Sequence, residues 1–260
     1  MPKLVLVEDG VPTGEYSDIL AYVGRPKACP VLPSSAEYYT LSQSDAIAAR
    51  VEAYLQDRVD AIPLHGLVLA GGRSTRMGTD KASLEYHGKT QVAHCHDLLR
   101  DLCDEVFVSA RADQADSPAH AGLPPLYDAF LEFGPMGGIL SALKAHPDAA
   151  WLVLACDLPY VTPETLADLV ENRNPFKLAT AYVSDHDGLP EPLCAIYEPK
   201  SIHRMLAFLG RGYHCPRKVL INSDTHLLEP RDPRALDNVN HPHEYEAARE
   251  ALNAHQEQTS

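Results

Sequence analysis

The chain has 260 residues, 45% of them hydrophobic and 22% charged, the balance of a globular protein able to bury a sizeable core. Its 36 acidic and 22 basic side chains leave a formal charge of −14, which excludes a broad nucleic-acid-binding surface, because phosphate contacts need clustered Lys and Arg. A small anionic substrate is not excluded, but its site must be locally basic or built from backbone N–H groups.

No apolar run reaches the ~20 residues of a membrane-spanning helix. Glu8 and Asp9 directly follow the first short apolar run, unlike a signal peptide. The six cysteines, Cys29, Cys95, Cys103, Cys156, Cys194 and Cys215, contain no C-x-x-C pair and lie in a chain long enough to fold without disulfide staples. A cytoplasmic protein with reduced, mostly buried thiols and neither membrane nor nucleic-acid partner is expected.

Along the chain, Leu4-Val5-Leu6-Val7 is a β-like run ended by Asp9-Gly10. The stretch from Tyr16 to Val23 is compatible with helix, and Pro26, Pro30 and Pro33 then break the chain into loop. Ser44 to Val59 reads as a helix with Ile47, Val51, Leu55 and Val59 on one face and Ser44 as its N-cap. Pro63 closes the segment. About 60 residues are marginal for independent stability, so residues 1–63 are expected to form a small extension packed on the main domain or on a second subunit.

From Leu64 the pattern changes. Apolar strand-like runs at 66–70, 105–109 and 151–155 alternate with helix-length stretches at 91–103 and from 134 to about 145. Val92, Cys95, Leu99 and Leu102 are the expected inward face of the first helix, and Thr162 with Pro163 opens a further one. Leu178 to Val183 and Leu193 to Tyr197 read as strands joined by a loop containing Asp187-Gly188, and Pro242 to Asn253 as a terminal helix. Continuous apolar strands alternating with helices predict a doubly wound, three-layer α/β sandwich with a mostly parallel sheet over residues 64–260.

Ligands of such sheets sit beyond the carboxyl ends of the strands, where three features fall. Leu69-Ala70-Gly71-Gly72-Arg73 opens a loop that continues through Arg76-Met77-Gly78 to Asp80-Lys81. Its glycines let backbone N–H groups approach a triphosphate, and Arg73, Arg76 and Lys81 concentrate cations in an acidic chain. It is neither a P-loop nor a G-x-G-x-x-G fingerprint; composition alone also allows a tight turn with exposed basic residues. Cys156-Asp157-Leu158-Pro159 follows the third strand, where a carboxylate can bind Mg²⁺ or simply cap a turn. Asp237-Asn238-Val239-Asn240-His241-Pro242 precedes the last helix.

The first loop resembles the signature loop of the molybdenum cofactor guanylyltransferase family, one of the NTP-transferase folds that also include sugar-phosphate nucleotidyltransferases. The resemblance extends over about residues 64–250. It covers Cys156-Asp157-x-Pro159, the 238–242 segment, Gly134-Pro135-x-x-Gly138 and Glu191-Pro192-Leu193-x-Ala195-x-Tyr197.

By that resemblance, Leu69, Ala70, Gly71, Gly72, Arg73, Lys81, Asp128 and Asp157 bind the nucleotide, and Asp157 is the Mg²⁺ ligand. Arg76, Lys81 and Asp157 serve catalysis, while Asn238 and Asn240 contribute to a phosphate or metal environment. The implied reaction transfers GMP from GTP to the terminal phosphate of molybdopterin cofactor, with a molybdoenzyme or cofactor-insertion protein as downstream partner.

Two positions depart from the family pattern: Arg111 stands where an Asn is usual, and His241 where a Thr is usual. The Leu-Ala-Gly-Gly start fits the guanylyl branch rather than the cytidylyl one. CTP with the same cofactor, a sugar 1-phosphate acceptor, or a non-catalytic nucleotide-binding or cofactor-delivery role are the alternatives. Asp185-His186-Asp187 has the D-x-D form of a metal-holding motif, but its place before Gly188 favours a solvated turn.

Overall fold

The chain divides between Ile62 and Pro63 into two units. The structure, a computed structural model, describes residues 3–7, 19–24, 37–70, 84–86, 88–111, 118–239 and 241–259.

In the first unit, strands β1 (Lys3–Val7), β2 (Ile19–Gly24) and β3 (Tyr38–Thr40) form a parallel sheet in that order, beside helix α1 (Ser44–Asp60). The stretch expected as helix around Tyr16–Val23 is strand where it is described. Leu20 to Val23 are all buried in the central strand, and a short run buried on both faces carries no period that separates strand from helix. Helix α1 is where the sequence predicts it, but its N-cap is Gln43 rather than Ser44, and none of its residues is buried.

The second unit contains β4 (Leu64–Leu69), α2 (Gln91–Arg100), β5 (Glu105–Ala110), β6 (Pro125–Tyr127), α3 (Pro135–Ala145), β7 (Ala150–Ala155) and α4 (Pro163–Glu171). They are followed by β8 (Ala179–Val183), β9 (Pro190–Tyr197), α5 (Ser201–Leu209), α6 (Pro216–Ile221), β10 (Thr225–Leu228) and α7 (Pro242–Thr259). The strands form one sheet in the order β10-β8-β9-β7-β4-β5-β6. Among the described strands only β9 runs antiparallel, against both β7 and β8. Helices α3, α5 and α6 cover one face and α2 and α4 the other, which completes the three-layer α/β sandwich.

Side-chain alternation explains the layers. Leu67 and Leu69 of β4 join Val153 and Ala155 of β7 in the core under α3, whose residues Met136 to Leu143 are all buried. Gly66, on the alternate face, points to α2, where a Cβ would come within 3.1 Å of Leu99 Cβ. Helix α2 buries Val92, Cys95 and Leu99 as the period predicts, but ends at Arg100 with Leu102 only half-buried. Thr162 Oγ1 accepts a hydrogen bond from Thr165 N at 3.3 Å and caps α4. The thiols are free among the described cysteines, with Cys95, Cys156 and Cys194 buried, Cys103 half-buried and Cys215 exposed. No helix among the described residues is long and apolar enough to cross a membrane.

At the edge opposite the strands' carboxyl ends, Arg173 donates two hydrogen bonds to Glu198, at 2.8 and 2.9 Å, and the Glu198 side chain is only 1% exposed. The pair ties the end of α4 to the turn after β9. Arg173→Ala leaves that carboxylate buried without its cation and is expected to cost about 3–5 kcal/mol, read as a lower urea midpoint. Adding Glu198→Leu to it is expected to restore most of the loss.

Candidate active site

The strand order reverses between β4 and β7. From β4 the chain moves outward through β5 and β6, then returns across the sheet to β7 on the other side. No crossover covers the carboxyl ends at such a switch point, so a crevice opens there. Leu69 and Ala155 are register partners at that edge, and Cys156 N donates to Leu69 O at 3.3 Å. The chain therefore leaves one strand end toward Gly71 and enters the Asp157 turn from its neighbour.

Asp157 is half-buried between the buried Cys156 and Leu158. Its carbonyl accepts a 2.8 Å hydrogen bond from Val239 N, which brings the 237–239 segment onto the Asp157 turn across more than 80 residues of chain. Asn238 is exposed beside it. Helix α7 follows and holds the segment through a cluster of Tyr86, Val239 and Ala248, with Tyr245 OH donating to Glu85 O at 3.1 Å.

A second wall comes from β5 and β6. Asp128 N donates to Ala110 O at 3.0 Å, and Ser109 Oγ donates to Asp128 Oδ1 at 2.8 Å. The next two residues are strapped to α3: Ser141 Oγ accepts from Ala129 N at 2.8 Å and Phe130 N at 3.4 Å, and donates to Gly137 O at 2.7 Å. Burial raises the Asp128 pKa, while the Ser109 hydrogen bond and the charge of Arg111 oppose the rise. Arg111 thus lies within electrostatic reach of the nucleotide-contacting carboxylate that the resemblance implies.

Two glycines make this packing feasible. Gly134, before Pro135 at the start of α3, has φ 54 and ψ −139, a region that only glycine enters at low cost. A Cβ on Gly138 would stand 2.7 Å from Ser109 Oγ and 2.8 Å from Leu69 Cδ2, so α3 can lie this close to the ends of β4 and β5 only without one.

Because β9 is antiparallel, its first residues reach the same edge. Glu191 is buried, accepts from Leu193 N at 2.9 Å and receives Arg217 at 2.9 Å; Arg217 also pairs with Asp187 at 3.0 Å. Burial raises the Glu191 pKa, Arg217 lowers it, and the negative charge of Asp157 raises it further. Asp157 and Glu191 therefore bring two carboxylates into one neighbourhood. His186 bonds Asp237 at 2.8 Å, an interaction that raises the His186 pKa. Asp187 and His186 are thus occupied in a turn, as expected for Asp185-His186-Asp187.

Of the sequence-predicted site residues, Leu69, Ala70, Asp128, Asp157 and Asn238 lie at this edge; Gly71, Gly72, Arg73, Arg76, Lys81 and Asn240 lie outside the described residues. Sequence reading missed Ser109 and Arg217. A serine in the otherwise apolar end of β5 is a signal for the first. Arg217 carries none, because its partners are 26 and 30 residues away.

Residues 66–226 match the family described as the MobA-like NTP transferase domain. A "Molybdenum cofactor biosynthesis bifunctional protein" of Synechocystis is 38% identical over 187 residues, 72% of this chain; the chain spans about half of that relative's length, 54%. A "Probable molybdenum cofactor guanylyltransferase" of Mycobacterium ulcerans is 34% identical over 70% of this chain and 90% of its own. In fold, the chain resembles the crystal structure of molybdopterin-guanine dinucleotide biosynthesis protein A from Archaeoglobus fulgidus, with a TM-score of 0.62 and 22% identity over 73% of this chain and 99% of that one. With the family pattern running through more than half of its length and through the strand ends just described, this chain belongs to the MobA-like NTP transferases and is a nucleotidyltransferase.

Proposed function

We propose that the chain transfers GMP from GTP to the terminal phosphate of molybdopterin cofactor and releases pyrophosphate. What carries the reading is the meeting of the Leu69-Ala70 strand end with Asp157 at the β4–β7 switch point, together with the relatives' names, which speak of guanylyl transfer to this cofactor. Residues 64–260 form the transfer domain in this reading, and a molybdoenzyme or cofactor-insertion protein receives the product.

The acceptor phosphate is already anionic near neutral pH, since its second pKa is about 6, so the attack on the α-phosphorus needs no general base. The difficulty is electrostatic: two anions must meet, and charge accumulates on the departing pyrophosphate. The backbone of Gly71 and Gly72 cradles the phosphates, and Arg73, Arg76 and Lys81 balance the charge in place of water. Asp128, oriented by Ser109, accepts hydrogen bonds from the nucleoside. Asn238 and Asn240 contribute to the phosphate or metal environment.

The carboxylates of Asp157 and the neighbouring Glu191 supply oxygen donors, the set that suits a hard divalent cation such as Mg²⁺. Asp157 is the residue that holds it. Bound there, Mg²⁺ would neutralise charge on the transferring and leaving phosphates. Arg217 keeps Glu191 paired and so limits the repulsion that a second carboxylate imposes on Asp157.

The direct test is pyrophosphate release with Mg²⁺ and molybdopterin cofactor, supplied with GTP or with CTP. Turnover with GTP alone is expected. Turnover with CTP alone would transfer the reading to the cytidylyl branch, and release that requires a sugar 1-phosphate would replace the acceptor. Asp157→Ala is expected to cut kcat on the order of 100-fold or more while leaving the urea midpoint of the fold in place. Near-normal kcat in that variant would remove Asp157 from the metal site.

A further inference from the structure

A different cluster occupies the opposite edge of the sheet. His65 in β4 pairs in register with Glu105, the first residue of β5, and with Trp151 of β7. His146 ends α3 and stands over the same spot. The ligand-capable atoms of His65, Glu105 and His146 all lie within 4.8 Å of one another. The imidazoles of His65 and His146 meet edge to face with centroids 5.0 Å apart, and the rings of Phe107 and Trp151 complete an apolar wall around them.

We infer that His65, Glu105 and His146 form a binding site for a borderline transition metal of the Zn²⁺ class, distinct from the nucleotide edge. Two imidazoles and one carboxylate are a recurrent zinc ligand set, with a fourth position left for water. Mg²⁺ prefers oxygen alone, so the two edges select different metals.

An independent observation supports this site. The His65 side chain is 8% exposed, and its Nδ1 is buried with no hydrogen-bond partner. Its Nε2 faces Glu105 at 3.8 Å, too far for a hydrogen bond. A buried imidazole without a hydrogen-bond partner is costly, and coordination through Nε2, the nitrogen that faces Glu105, would give the ring one bonded partner. Glu105 is exposed and His146 half-buried, so both can close the small remaining distance. A metal held there would tie the starts of β4 and β5 to the α3–β7 connection.

Trp151 is the sole tryptophan, and its ring centroid lies 5.3 Å from His65 and 5.7 Å from His146. Its fluorescence is therefore a local reporter. Titrating the full chain with Ni²⁺ or Co²⁺ is expected to quench Trp151 saturably at one equivalent, with Zn²⁺ competing. His146→Ala and Glu105→Gln should each weaken binding by about 10–100-fold, whereas Asp157→Asn should leave it unchanged. Each variant's metal-free Tm checks that its fold is intact. Absence of saturable quenching, or quenching unaltered in folded His146→Ala and Glu105→Gln, would overturn the site. Loss in Asp157→Asn would reassign the metal to the nucleotide edge.

Discussion

Everything in the proposed chemistry depends on one topological constraint, the reversal of strand order between β4 and β7. Parallel strands joined by right-handed crossovers send their connections to opposite sides of such a point. Two loops can then share a crevice without a helix between them. The hydrogen bond from Cys156 N to Leu69 O closes the sheet up to its last residues, so the chain reaches residue 71 and Asp157 from adjacent, rigid strand ends. A site on rigid elements keeps its groups aligned better than one built on loops alone.

The second constraint is charge. In the proposed reaction a protein with a formal charge of −14 meets two phosphorylated substrates and must keep its own carboxylates from repelling them. At this edge the solution is pairing. Arg217 spans Asp187 and Glu191, His186 meets Asp237, and Ser109 donates to Asp128 near Arg111. These pairings draw on β5, β6, the β8–β9 turn, α6 and the segment before α7, so the fold as a whole sets the local field. The same sheet carries a second and chemically different group of donors at its other edge, His65, His146 and Glu105.

Much of this was legible in the sequence where one local rule dominates. Residues 66–69 of β4 and all of β7 are apolar runs, and Asp157 stands two residues beyond β7, where the family resemblance rather than its position singles it out. Thr162-Pro163 announces α4. Legibility failed where structure depends on distant partners. The three-residue β6 and the mixed polar and apolar β10, Thr225–Leu228, carry little pattern of their own and exist as edge strands of a sheet assembled elsewhere. Helices α5 and α6 also lack a clear signal, since short elements compete with turn signals such as Pro216. The apolar run in β2 is compatible with helix in sequence because burial on both faces erases period. Likewise, the roles of Ser109, Gly138 and Arg217 become visible only when α3, β9 and α6 are placed against the strand ends.

In the proposed reaction Asp157 holds a divalent cation together with the nucleotide. Mn²⁺, which shares the oxygen preference of Mg²⁺, makes this measurable by electron paramagnetic resonance of the full chain titrated with and without GTP. The account predicts Mn²⁺ binding that strengthens when GTP is present and is at least ~10-fold weaker in Asp157→Asn. Equal GTP-dependent Mn²⁺ binding by the two proteins would contradict it.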